Sequence, residues 1–206
     1  MRKTILFAVM IVFVVANVEA QRTKAMKNIL NLNVEFGGSF LQVQKDDISQ
    51  KQVKKKGVIY FSAPNRLSIE FLEPKGDRFV LNQGKMYVQE GKRGYIYNFA
   101  KHESKRRIAY VVTQAFMGRI DEVEKMIGIK AKFTESKALY IFTFEFPVNK
   151  ESQYKKIEFV YSKLDYHLSM LTLEERNGNN VIYSVPAIRL GKTKDVKYEI
   201  PIPTKR

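Results

Sequence analysis

Residues 57–90 read GVIYFSAPNRLSIEFLEPKGDRFVLNQGKMYVQE. Four short runs rich in Val, Ile, Tyr, Phe and Leu are separated by three turn signals, the pattern of consecutive antiparallel strands. The turns are Ala63-Pro64-Asn65-Arg66, Glu73-Pro74-Lys75-Gly76 and Asn82-Gln83-Gly84. Proline presets φ in the first two, and in the third Gly84 can take a positive φ at a bulged hairpin. Between the prolines Leu67, Ile69 and Phe71 alternate with Ser68 and Glu70. One face of this meander is therefore apolar and the other is expected to be wet.

The flanks extend the same theme. Residues 34–43 read as a first strand in which Gly37-Gly38 suggests a bulge or bend. Residues 44–56 form a polar turn and a charged strand start, with Lys54-Lys55-Lys56 expected on a solvated edge. Residues 95–99 continue the strands, and residues 101–107 are a basic, polar connection. Between Ile108 and Ile127 the period changes: Val112, Ala115, Phe116, Ile120, Val123, Met126 and Ile127 follow a helical stripe. Gly118 divides it, and Asp121-Glu122 suits the first turn of a second helix. Strands return over residues 129–135, 138–146, 154–162 and 166–175. Asn177-Gly178 is a hairpin signal leading into residues 180–190, where Pro186 makes an edge strand or two short ones. A short helix over 22–32 and a last strand over 196–200 complete the pattern, with a frayed basic end.

The chain has 206 residues, enough for one domain with a core. Residues 1–20 read as a secretory signal peptide: Arg2-Lys3, an apolar run from Ile5 to Ala16, and Val18-Glu19-Ala20 as a small-x-small cleavage site. That run is about 12 residues, too short for a bilayer that needs about 20. The mature product, residues 21–206, is then expected in the periplasm. It has no cysteine, hence no disulfide, no thiolate metal site and no lipidated N-terminal Cys. The formal charge of +15 falls to +14 once Arg2, Lys3 and Glu19 are removed. Such a balance attracts anionic surfaces, and export makes nucleic acid the least suitable of them.

No phosphate loop, no His/Glu metal spacing and no nucleophile elbow is present. The two histidines, His102 and His167, stand far apart, and Glu174-Glu175 reads as a solvated strand end rather than a catalytic pair. The chain is read as non-enzymatic and without a cofactor. Its positive feature is the apolar inventory: 14 Phe and 11 Tyr, largely at alternating strand positions. Roughly ten strands of one antiparallel sheet present an inner face that either packs as a sandwich or curls around a cavity.

An ordered set of segments resembles the periplasmic carriers that bring lipoproteins to the bacterial outer membrane, the LolA-type family. The set is Ser39-Phe40-Leu41-Gln42, Gly57-Val58-Ile59-Tyr60-Phe61, Pro64-Asn65, the strand Leu67 to Leu72 ending at Pro74, and Phe79-Val80-Leu81-Asn82-Gln83-Gly84-Lys85. It covers residues 36–88 closely and the rest loosely. The resemblance implies a mainly β, α+β fold: an unclosed, strongly curved antiparallel barrel whose short helices form a lid over an apolar cavity. It implies a monomeric carrier that takes lipoprotein acyl chains from an inner-membrane release complex to an outer-membrane receptor or to that membrane itself. The alternative is an interaction or sensor domain of the same fold that reads a partner protein or another lipid. The expected cargo site comprises Phe40, Ile59, Phe61, Leu67, Ile69, Phe71, Phe79 and Leu81 from the strands, with Phe116, Met117 and Met126 from the lid. One position departs from the pattern: carriers of the family place an arginine before the strand-ending proline to tie the lid shut, and here Ala63 precedes Pro64, with Arg66 nearby.

Overall fold

The computed structural model describes residues 18–29, 35–148, 152–191 and 193–201. A first helix, α1, occupies residues 18–29. Six strands follow: β1 (Glu35–Lys45), β2 (Gln52–Ser62), β3 (Arg66–Glu73), β4 (Lys75–Asn82), β5 (Lys85–Glu90) and β6 (Arg93–Asn98). Helices α2 (Glu103–Phe116) and α3 (Ile120–Ile127) come next. The chain then returns through β7 (Lys132–Glu135), β8 (Leu139–Glu145), β9 (Tyr154–Ser162), β10 (Leu168–Glu175), β11 (Asn180–Ser184) and β12 (Ile188–Leu190). A single 3₁₀ turn, Asp195–Tyr198, lies near the end.

The strands make one open, curled antiparallel sheet in the order β6-β5-β4-β3-β2-β1-β11-β10-β9-β8-β7, with β12 also on β1. The expected architecture is the observed one, with twelve strands rather than about ten. β1 is the spine. It pairs with β2 over its whole length, and on its other side it is shared by β12 at Phe36–Gly38 and β11 at Leu41–Lys45. Pro186 sits in the gap between these two, which is why residues 180–190 form two short strands.

Four expectations change. Gly37-Gly38 makes no bulge, since β1 and β2 stay in register throughout. A Cβ at Gly38 would lie 2.8 Å from the Ala187 carbonyl, so glycine here serves the close approach of the chain entering β12. Lys54–Lys56 are on an internal strand, not an edge, and Lys56 pairs with Glu73 at 3.0 Å. α2 begins at Glu103, inside the stretch expected as a basic connection, so His102 stands just before the helix with its ring edge-on to Tyr97. Residues 196–200 form no strand: Asp195–Tyr198 is a 3₁₀ turn.

That turn also corrects the wet face of the meander. Ser68 and Val80 point away from the concave side yet are buried, because the segment 193–201 lies over β3 and β4. Tyr198 is fully buried there, with Arg66 stacked 4.8 Å from its ring centroid. Asn82 donates to the Tyr198 carbonyl and Arg78 to that of Lys197. Arg66 also binds Asp195 and Ser62, so it is committed to the convex side and has no part in the lid.

The helix pair breaks where Gly118 predicts. Its φ is +70°, and a Cβ would lie 2.1 Å from Ile29 Cγ2 of α1, so the break also seats the first helix. Ala25 and Ile29 of α1, and Ile120, Val123 and Ile127 of α3, are buried in one core. Glu124 of α3 is buried too, bound by Arg22 of α1 at 2.5 Å, by Lys130 at 2.8 Å and by the Ala131 N–H at 2.9 Å. Burial would raise its pKa, but these donors outweigh that and hold it below the usual carboxylate value.

Candidate functional site: an apolar cavity under helix α2

Register lays the concave side chains out in rows that run across the strands. The first row holds Phe36, Phe61, Leu67, Leu81 and Met86 of β1 to β5. The second holds Ile59, Ile69, Phe79 and Val88, and the third brings Phe40 of β1 past Gly57 to Phe71. A Cβ at Gly57 would fall 2.5 Å from the Phe40 ring, so the glycine makes room for that ring to lie against Phe71, edge-on at 5.2 Å.

Between these rows and α2 lies a cavity of about 250 Å³. The meander contributes Ile59, Leu67, Ile69, Phe71 and Phe79, with Phe40 from β1. α2 contributes Ile108, Val112 and Phe116, spaced four residues apart and therefore one above the other on a single helical face. The far wall is Leu168, Leu171 and Leu173 of β10 with Tyr183 and Val185. The only polar atom among these side chains is the Tyr183 hydroxyl, whose pKa burial raises, with nearby Tyr154 adding to the effect. At one end Lys55 lies 5.2 Å over the Phe71 ring while its ammonium binds Asp77 at 2.7 Å.

Seven of the expected cargo residues line this space: Phe40, Ile59, Leu67, Ile69, Phe71, Phe79 and Phe116. Four do not. Phe61 and Leu81 are in the first row and fully buried beyond the cavity's end, Phe61 within a triad whose ring centroids stand 5.5 Å from Phe36 and 5.5 Å from Phe116. Met117 is buried in the core. Met126, half-buried on α3, is off the cavity, and its carbonyl accepts from Arg107. The wall from β10 and residues 183–185 was not anticipated, although Leu171 and Leu173 alternate plainly in the sequence. Nothing local says that β10 and β11 face the meander; the pairing of β11 with β1 does that.

Neither histidine faces the cavity. His167 is buried between Asp165 at 2.6 Å and the Val185 carbonyl at 2.8 Å. Among the described residues no group of three or more His, Cys, Asp or Glu side chains is arranged to hold a metal, and no helix is long and apolar enough to cross a membrane.

No family model and no curated protein matches the chain. Solved structures do. An uncharacterized conserved protein from Thermus thermophilus aligns with a TM-score of 0.54 at 8% identity, over 88% of this chain and 94% of that one. A DUF1329 family protein from Desulfovibrio piger aligns at 0.50 and 12% identity, over 88% and 97%. A LolA superfamily protein from Nitrosomonas europaea aligns at 0.45 and 6% identity, over 86% and 97%. Likeness at such identities is one of fold alone, here an open, curled antiparallel sheet with helices laid across its concave side.

Proposed function

We propose that this protein is a non-enzymatic periplasmic carrier that holds acyl chains of lipoproteins between the concave sheet and α2 and moves them from the inner to the outer membrane. The observation that carries this reading is the cavity itself: carbon-lined on every side, with one hydroxyl and no charge among its lining residues. Each buried CH₂ contributes about 0.8 kcal/mol, so a chain binds there without directed polar contacts. The cavity's 250 Å³ is just below the ~300–1,000 Å³ usual for ligand sites. It therefore takes part of one chain as it stands, and larger cargo requires α2 to lift. In this reading an inner-membrane release complex loads the carrier and an outer-membrane receptor, or that membrane, unloads it.

With Ala63 where the family keeps an arginine, closure falls to other groups. Arg22, Glu124 and Lys130 supply a charged clasp between α1 and α3, at the base of α2. The small volume also fits the second reading, an interaction domain whose interior is structural. Mass spectrometry of protein purified gently from the periplasm separates the two. Co-purifying acyl chains support the carrier, and an empty interior in a chain that binds no lipid supports the interaction domain. The same sample, sequenced from its N-terminus, is expected to begin at Gln21; an intact Met1 would remove the export argument.

A further inference from the structure

The concave face of β1 carries one side chain that the hydrocarbon reading leaves unexplained. Gln42 follows Phe40 by two residues in a strand without register shifts, so it points to the same side as that cavity-lining ring. It is 7% exposed, and its buried Oε1 accepts no hydrogen bond from the described residues. Its direct register partners are Lys55 on β2 and Tyr183 on β11, and Tyr183 in turn faces Leu171 on β10. Three neighbouring strands thus set Lys55, Gln42 and Tyr183 at consecutive register positions; of the three only Tyr183 belongs to the cavity's lining, and Gln42 is one register step from it. The ammonium is already engaged by Asp77. The carboxamide is not engaged, and a buried polar group without a partner is costly enough to ask for a reason.

We propose that Gln42, with Tyr183 beside it, is a polar subsite bordering the cavity, reached when cargo enters, that selects acyl chains joined through an amide over those joined through an ester. This rests on the acyl-chain reading of the cavity. A carboxamide presents one acceptor and two donors in a plane. Its complement is another amide, whose N–H meets the oxygen while its carbonyl meets the N–H₂. The match holds whichever way round the Gln42 group is set. An ester offers acceptors alone and leaves one half of that pairing empty. A carboxylate has no N–H to give the oxygen. The Tyr183 hydroxyl adds a donor to the same carbonyl.

The test uses three probes built on one medium-length fatty chain: the N-methyl amide, the methyl ester and the parent alkane. Each displaces a fluorescent fatty acid from the full mature chain. The expected result is that the amide binds about five- to tenfold tighter than the ester, the worth of one well-made hydrogen bond. Gln42→Met keeps the length and loses the polar end. It should bind the alkane as the parent does, bring amide and ester within about twofold, and melt no lower than the parent. Tyr183→Phe should weaken amide and ester alike and leave the preference in place, since both carry the carbonyl that the hydroxyl meets. Equal binding of amide and ester by the parent protein, which needs no variant to fold, overturns the subsite. So does an amide preference that survives Gln42→Met. Failure of all three probes to bind the parent overturns the acyl-chain reading itself, a different outcome from binding without selectivity.

Discussion

The rows of side chains that line the cavity do not stop at its far wall. The row that holds Tyr183 and Leu171 continues into Phe159 of β9 and Phe142 of β8. The next holds Leu173 and continues into Ile157 and Phe144. Along each row exposure falls: Leu171, Leu173 and Tyr183 are half-buried, Ile157 is buried, and Phe142 and Phe144 are 0% exposed. The alternation that fills one half of the barrel leaves a hole in the other. What differs is the cover. Over β8 and β9 the helices close down: the Tyr161 hydroxyl donates to the Ala115 carbonyl at 2.6 Å, and Asn28 of α1 reaches the Tyr140 hydroxyl at 3.3 Å. Over the meander, among the described residues, the helical cover of the cavity is α2 with one stripe of three side chains. An inward strand pattern states that a face must be covered. Whether it becomes core or cavity is decided by how many helices reach it.

The comparison breaks most easily in its packed half. Phe144 is fully buried and meets Phe159 edge-on at 5.9 Å. Phe144→Ala should cost about 3–5 kcal/mol in denaturant unfolding, the range for a filled aromatic site. A loss below about 1 kcal/mol would mean that this half is as loose as the other. Phe116 belongs to both halves, since it lines the cavity and stacks on Phe36 and Phe61. Phe116→Asp should therefore unfold the protein rather than report on binding.

Next comes the clasp. Glu124→Ala leaves Arg22 facing the core with its partner gone, and Glu19, which also binds Arg22, lies on the leader side of the expected cleavage. The loss should be about 3 kcal/mol, the lower end for a buried pair because Lys130 is exposed. The Glu124 pKa is lowered on folding, so its contribution is complete above the unfolded value near 4.3 and disappears as pH falls through the lower, folded one. Thermal melts of parent and Glu124→Ala should converge as pH falls through the lowered folded value and not before. A gap that persists below it, or widens, would show that the carboxylate's charge is not what binds α1 to α3.

The smallest effect is at the surface. The +14 charge expected of residues 21–206 predicts binding to anionic vesicles that weakens from low salt to physiological salt, where exposed charges more than about 8–10 Å apart are screened. Binding that is indifferent to salt would remove charge from any account of membrane contact.

Much of this was legible in the chain. The meander announced its turns through Pro64, Pro74 and Gly84 and its inward face through Leu67, Ile69 and Phe71, because a period of two needs no tertiary information. Gly118 likewise marked the helix break. Other features depend on partners distant in sequence. Ser68 reads as a solvent position until Tyr198, 130 residues on, is laid over it. Met117 and Met126 are expected in the cargo site from the lid, but a helix turns about 100° per residue, and the cavity takes only the face of Ile108, Val112 and Phe116. The lining from β10 required the knowledge that β11 returns to β1.

Val112 is the residue on which the central claim rests most directly. It lines the cavity from the middle of the α2 stripe and is half-buried, outside the aromatic triad. Val112→Asp puts a charge where the chain would lie, while leaving that charge a path to water. The measurement is binding of a fluorescent fatty acid to the parent and to Val112→Asp, each with its melting curve. The account predicts saturable binding by the parent and its loss in a variant that still melts cooperatively, within about 1–2 kcal/mol of the parent. Undiminished binding by the folded variant, or none by the parent, would contradict it.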